Sequence, residues 1–278
     1  MAAQTNRRAF IKKVSAGILG TGVALNTLAR PKSSTHKIIA RPKVFDINPN
    51  PNVALVKGPD RKTNMFDALK LIEDDVKRSI GDKQVVIKPN FTRVKKEDWL
   101  ASTHVDNIEA ILEFLKPFYN KQVIIAEGCG GAEPIEVALE NYDYLKLTDK
   151  YNVGFYDMSK DDYSTVNLLD IDIQPMPIMT SNLILDPNTY IISAAVMKTH
   201  ALAAVTLGLK NVVLAAPMNF GKVGNERGKL HTKPMMEDPR YFNYNHFMMS
   251  QYAYPDMVVI DGFVGMEGKG PLFGDPID

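Results

Sequence analysis

One cysteine, Cys129, stands among 278 residues. A lone thiol excludes an internal disulfide. It also excludes an iron–sulfur cluster held by the chain's own cysteines, which takes several thiolates. Charge of one sign is missing too: 33 Lys and Arg face 32 Asp and Glu, a net charge of +1. That balance gives no general drive toward nucleic acid or an anionic membrane. Neither a G-x-G-x-x-G fingerprint nor a P-loop lysine motif occurs, so the usual nucleotide cradles are absent. Long apolar runs are scarce. Val14 to Ala29 is an uncharged run of 16 residues, but it contains Ser15, Thr21, Asn26 and Thr27, and a bilayer span needs roughly 20 apolar residues. The remaining composition, 45% hydrophobic and 23% charged, is that of a globular protein. Such a core is large enough to need no disulfide.

What is there begins at the N-terminus. Asn6-Arg7-Arg8-Ala9-Phe10-Ile11-Lys12-Lys13 is a basic stretch with an arginine pair, followed by the short apolar run. This pattern predicts a twin-arginine export signal over residues 1–29, with the twin-arginine translocase as partner. Cleavage near Ala29 leaves a protein with no further membrane contact, located in the periplasm or otherwise exported. An uncleaved N-terminal anchor is the alternative. Residues 30–50, rich in Pro, Lys, Ser and Asn, read as a linker. Residues 51–278 then form the folded part.

Short β-branched runs at Val53–Val56, Val85–Ile87, Val123–Ala126, Gly154–Tyr156, Tyr190–Val196 and Met257–Ile260 predict buried strands. Helical spacing of apolar residues covers Met65–Ser79, Val105–Phe118 and Pro134–Leu147. The alternation predicts an α/β fold: a mostly parallel twisted sheet with helices on both faces. The segment from Asn219 to Tyr254 lacks a period and reads as a long irregular insertion covering a site.

Ligands of such sheets bind beyond the C-terminal ends of the strands. The polar residues at predicted strand tips are therefore the candidates. Lys88 and Asn90 flank Pro89 after one strand, and Pro89 forces an extended or turned exit. Lys198 and His200 end another, and Lys210 and Asn211 follow ten residues later. Two ammonium groups and an imidazole suit a carboxylate or phosphate, and the imidazole suits proton transfer near neutral pH. His104 sits at a helix entrance, where the dipole disfavours its proton. Lys198, His200 and His104 are thus the catalytic candidates, while Lys88, Asn90, Lys210 and Asn211 are ligand-binding candidates. Gly130 and Gly131 in Glu127-Gly128-Cys129-Gly130-Gly131 offer backbone amides to an anion. Cys129 reads as a nucleophile or as a small residue filling a tight turn. Asp261 and Glu267, around a glycine-rich stretch after the last strand, are candidates for a divalent metal. The cofactor itself is not specified by these residues.

The order and spacing of Val-Val-Ile-Lys-Pro-Asn (85–90), Ser-Thr-His (102–104), Lys-Thr-His (198–200), Gly-Leu-Lys-Asn (208–211) and Gly-Met-Glu-Gly-Lys-Gly-Pro (265–271) resemble the domain of unknown function 362 family. The resemblance covers roughly residues 50–278. Some members of that family carry an added ferredoxin-type cluster segment or a twin-arginine signal, and this chain resembles the second kind. Relatives often have Asp-Ser-Pro-Gly-Gly where Glu127–Gly131 stands, and they continue past the Gly-Met-Glu-Gly stretch. A truncated or fragmentary gene product, with an exposed sheet edge or an uncovered apolar face, is the expectation from that second departure. A looser, fold-level likeness to nickel-dependent lactate racemases carries no function across. The expected function is binding of a small anionic ligand at the C-terminal edge of the sheet, as an enzyme with Lys/His acid–base groups or as a non-catalytic carrier of a cofactor or metal.

Overall fold

The computed structural model describes residues 52–130, 133–219, 226–230 and 238–278. The expected signal and linker, and Gly131, lie outside the described residues. Asp60 caps helix α1 (Arg61–Lys70), its carboxylate accepting the Thr63 N–H at 2.8 Å. A break at Leu71 and Ile72 follows, then α2 (Glu73–Ile80) begins. The run expected as one helix is two, because Glu73-Asp74-Asp75 suits a fresh positive N-terminus. Then come β1 (Gln84–Lys88), α3 (Val105–Leu115), β2 (Val123–Glu127), α4 (Ile135–Asn141), β3 (Val153–Asp157), β4 (Tyr163–Leu169), β5 (Pro175–Ser181), β6 (Thr189–His200), β7 (Ala204–Thr206), α5 (Gly208–Val213), α6 (Pro239–Ser250), β8 (Met257–Glu267) and β9 (Asp275–Ile277).

The main sheet runs β3-β2-β1-β6-β8-β9, with β7 added to β6. Strands β3, β2, β1, β6 and β8 pair in parallel, while β7 and β9 pair antiparallel to their neighbours. Alternation along each strand feeds two cores. Val85, Ile87, Val123, Ile125, Tyr190 and Ile192 pack in one, and Val86, Ile124, Ala126 and Ile191 in the other. The expected α/β class, with mostly parallel strands and both faces covered, is the observed one.

Three local readings differ. Val53–Val56 forms no strand; Val53 is 86% and Leu55 91% exposed, with no neighbouring strand to pair. β4 and β5 form a separate two-stranded antiparallel sheet that the sequence concealed, because Pro175 and Pro177 argue against an interior strand and fit only an edge. Part of the expected irregular insertion is α6, with Asp238 as N-cap and Pro239 in the first turn.

The strand order fixes where a ligand can lie. From β1 the chain moves outward through β2 to β3, then returns to the other side of β1 as β6. The order therefore reverses between β1 and β6, and the C-terminal ends of the strands flank a crevice there.

Candidate functional site

Lys88 is the last residue of β1 and leaves the sheet on the same face as Val86, two positions earlier. Its side chain is 1% exposed. The ammonium donates to Glu127 Oε2 at 2.6 Å, Pro89 O at 2.7 Å and Asn211 Oδ1 at 3.0 Å. All three of its N–H groups are thereby used. Burial pushes the Lys88 ammonium down, and the Glu127 charge partly restores it. Glu127 in turn accepts from the backbone N–H of Phe91 and of Gly128.

Asn211, on α5, is the hub. Its Oδ1 accepts from Lys88 and from Asn90 Nδ2 at 3.0 Å each, and its Nδ2 donates to Lys88 O and Ser193 Oγ at 3.0 Å each. This exhausts the amide's capacity and locks α5 onto β1 and β6. Gly208, three residues earlier, lets α5 lie close against β8 as well: a Cβ there would lie 2.1 Å from Val258 Cγ1.

Lys198 is equally committed. Its ammonium donates to Asn90 Oδ1 at 2.7 Å, Thr92 Oγ1 at 2.6 Å and Ala101 O at 2.6 Å. It ties β6 to the loop after β1. Burial first, then Lys210, lowers its pKa to about 7. The sequence reading made Lys198 catalytic, but its three protons are spent inside the protein, which suits a positioning task.

Lys88, Asn90, Gly130, His200, Lys210 and Asn211 all line one cleft of about 430 Å³ at the switch point. Thr206, Arg93, Arg227 and Glu127 line it as well, with Phe91, Leu214, Pro271 and Leu272 supplying apolar wall. Among the described residues four cationic side chains line the cleft with one carboxylate, which is already held by Lys88. Lys210 is half-buried, and its pKa falls to about 8 through burial and the charges of Arg227 and Lys88. Among the described residues its ammonium makes no hydrogen bond and no ion pair. The Thr206 hydroxyl is buried and has no hydrogen-bond partner among the described residues.

His200 stacks on Phe242 of α6, with ring centroids 6.4 Å apart and planes at 13°. Its Nδ1 accepts the N–H of Leu202 at 3.1 Å and of Ala203 at 3.2 Å. The proton of the neutral ring therefore sits on Nε2. The sequence reading gave His200 an acid–base role; in this tautomer Nδ1 is already an acceptor for the backbone.

The other candidates lie elsewhere. His104 is the N-cap of α3, and its Nδ1 accepts the Asp106 N–H at 3.2 Å; Ser102 and Thr103 do not cap. Its pKa is lowered, as expected of a neutral imidazole, but mainly by burial and by Arg61. It does not line the cleft. Asp261 shares the parity of Met257 and Val259 and is buried on the side of the first core. It accepts from Asn107 Nδ2 at 2.5 Å and lies 3.2 Å from Arg61 Nε. Glu267 is exposed at the far end of the same strand. The stretch read as a glycine loop continues β8, so the two carboxylates are six residues apart along a strand, about 20 Å. One cation cannot join them. Among the described residues no group of three His, Cys, Asp or Glu is placed to hold a metal.

The glycine-rich turn is not an open amide cradle over its described part. The Gly128 N–H is taken by Glu127 Oε1 and the Gly130 N–H by Phe91 O at 2.9 Å. A Cβ at Gly130 would stand 2.8 Å from Thr92 O, so the glycine serves close packing. Cys129 is buried, and burial with the charges of Glu127 and Asp157 pushes its thiol up, which removes the nucleophile reading.

Sequence reasoning missed Glu127, Thr206 and Arg227. A carboxylate closing the apolar run Val-Ile-Ile-Ala was a signal for Glu127. Arg227 sits in the insertion, where no period exists.

The model of the family described as Domain of unknown function (DUF362) matches residues 85–278. The chain belongs to that family. It is 25% identical over 215 residues to a thylakoid-associated protein of Synechocystis sp., covering 70% of this chain and 56% of that protein. It therefore spans about half the length of this curated relative. A crystal structure of a Thermotoga maritima protein shares the fold with a TM-score of 0.50 at 14% identity, over 79% of this chain and 55% of that one. Among the described residues no helix is long and apolar enough to cross a membrane.

Proposed function

We propose that this chain binds a small anionic ligand, a carboxylate or a phosphate, in the cleft between the ends of β1 and β6. The observation that carries the reading is Lys210: a half-buried ammonium with no counter-charge among the described residues, beside Lys88 and Arg227. Such a group is costly unless an anion joins it. Isothermal titration of the full chain with a panel of small carboxylates and phosphates tests it. Saturable binding that Lys210→Met abolishes is the expected outcome; no binding by any anion in the panel refutes the reading.

The same geometry favours carriage over turnover. Lys88 and Lys198 have no uncommitted N–H, and His200 Nδ1 is occupied as an acceptor. A small anion or an anionic cofactor that copurifies in a one-to-one ratio, seen by native mass spectrometry, supports a carrier. Turnover of hydroxy acids or phosphate esters by purified protein supports an enzyme instead.

The basic pair Arg7-Arg8 supports export by the twin-arginine route. Replacing both with lysine is expected to leave the protein in the cytoplasmic fraction. An unchanged distribution counts against export.

A further inference from the structure

We propose that the anion of this cleft is a phosphoryl group of a small phosphate ester, and that Thr206 is the residue selecting it. The proposal rests on the anion-binding reading above and names its ligand class. Three observations on separate elements lead to it.

The first is charge. Lys88, Arg93 and Lys210 line the cleft, and among the described residues its lining carboxylate, Glu127, is bound by Lys88. Lys198 stands directly behind, hydrogen-bonded only to neutral oxygens. A monocarboxylate leaves most of this positive charge unmatched in a poorly solvated place. A dianion matches more of it.

The second is Thr206. It is 2% exposed, it lines the cleft, and its Oγ1 has no partner among the described residues. A buried hydroxyl without a partner costs stability. An acceptor oxygen brought by the ligand satisfies it. Nothing else in the cleft wall requires a hydroxyl there: valine has the same shape.

The third is direction. Thr206 ends β7, Lys210 rides on α5, and Arg93 comes from the loop after β1, all three lining the cleft. Donors from three elements suit the three terminal oxygens of a tetrahedral group. The apolar wall of Phe91, Leu214, Pro271 and Leu272 accommodates the small organic remainder of an ester.

The test is calorimetry on the full chain at pH 7 and fixed ionic strength, with inorganic phosphate, glycerol phosphate, lactate and succinate. Phosphate and glycerol phosphate are expected to bind at least about tenfold tighter than lactate or succinate, a hydrogen bond to a charged group being worth that much. Thr206→Val is expected to weaken phosphate by about tenfold to a hundredfold, while its melting temperature stays equal or rises. Thr206→Ser, which keeps the hydroxyl, should retain phosphate affinity even if it is less stable. Lactate or succinate binding as tightly as phosphate overturns the proposal but leaves the anion cleft standing. So does a folded Thr206→Val variant with unchanged phosphate affinity, or a folded Thr206→Ser variant that loses it. If none of the four probes binds, both the proposal and the reading beneath it fall.

Discussion

Removing the Lys88 ammonium should damage the fold more than any surface change, and the size of the loss follows from its surroundings. Lys88 is 1% and Glu127 2% exposed, and 2.6 Å separates their charged atoms. Lys88→Met keeps the length of the side chain but leaves the Glu127 carboxylate with only the N–H groups of Phe91 and Gly128. It also strips donors from Pro89 O and Asn211 Oδ1. Breaking a buried pair from one side costs about 3–5 kcal/mol. In a domain of this size each kcal/mol moves the melting temperature by about 2–4 °C, so a drop of about 10 °C is expected. Lys88→Met combined with Glu127→Gln removes both charges, and its loss should fall well short of the two single losses added together. Urea and thermal unfolding followed by circular dichroism measure all three variants. A loss below about 1 kcal/mol for Lys88→Met, or strict additivity in the double variant, refutes a buried, mutually dependent pair.

Other expectations follow from the same geometry. An anion in the cleft favours the charged forms of Lys210 and Lys198, whose pKa values are lowered to about 8 and about 7. Binding therefore takes up protons, and affinity falls as pH rises from 7 to 9. Sulfate, whose own charge is constant over that range, is the probe for calorimetry. Lys210→Arg, charged throughout, should flatten the profile between pH 8 and 9; an unchanged slope removes Lys210 from the seat. Gly130→Ala places a methyl against Thr92 O, which should cost about 1–3 kcal/mol in urea unfolding as overpacking does and weaken anion binding by shifting Asn90 and Thr92. Full stability in that variant contradicts the close packing. Cys129, buried and with its thiol pKa raised, should resist iodoacetamide in native buffer and react after denaturation; rapid native labelling contradicts its placement.

The cleft was partly legible because parallel strands advertise their ends. An apolar β-branched run that stops at a lysine or histidine marks a tip; Lys88 and His200 were found that way, Lys210 and Asn211 ten residues further on, and all four line one cleft. What a side chain does at the tip was not legible. Lys198 and Lys210 look alike in sequence, yet among the described residues one spends every N–H on protein oxygens and the other none. That difference is decided by Asn90, Thr92 and Ala101, about a hundred residues away. Asp261 was misplaced because Gly262 and Gly265 read as a loop, whereas β8 runs through both. The partner of Asp261, Arg61, lies on a distant helix and leaves no local trace. Thr206 was invisible because its meaning is an unmet hydrogen bond, which only coordinates disclose.

Crystals of the full chain soaked in tungstate, a heavy tetrahedral dianion, put the central claim to its most direct trial. The account predicts an anomalous peak inside the cleft, within hydrogen-bond reach of Lys210 Nζ and Thr206 Oγ1. A cleft without a peak, in crystals where tungstate occupies other surface lysines, contradicts it.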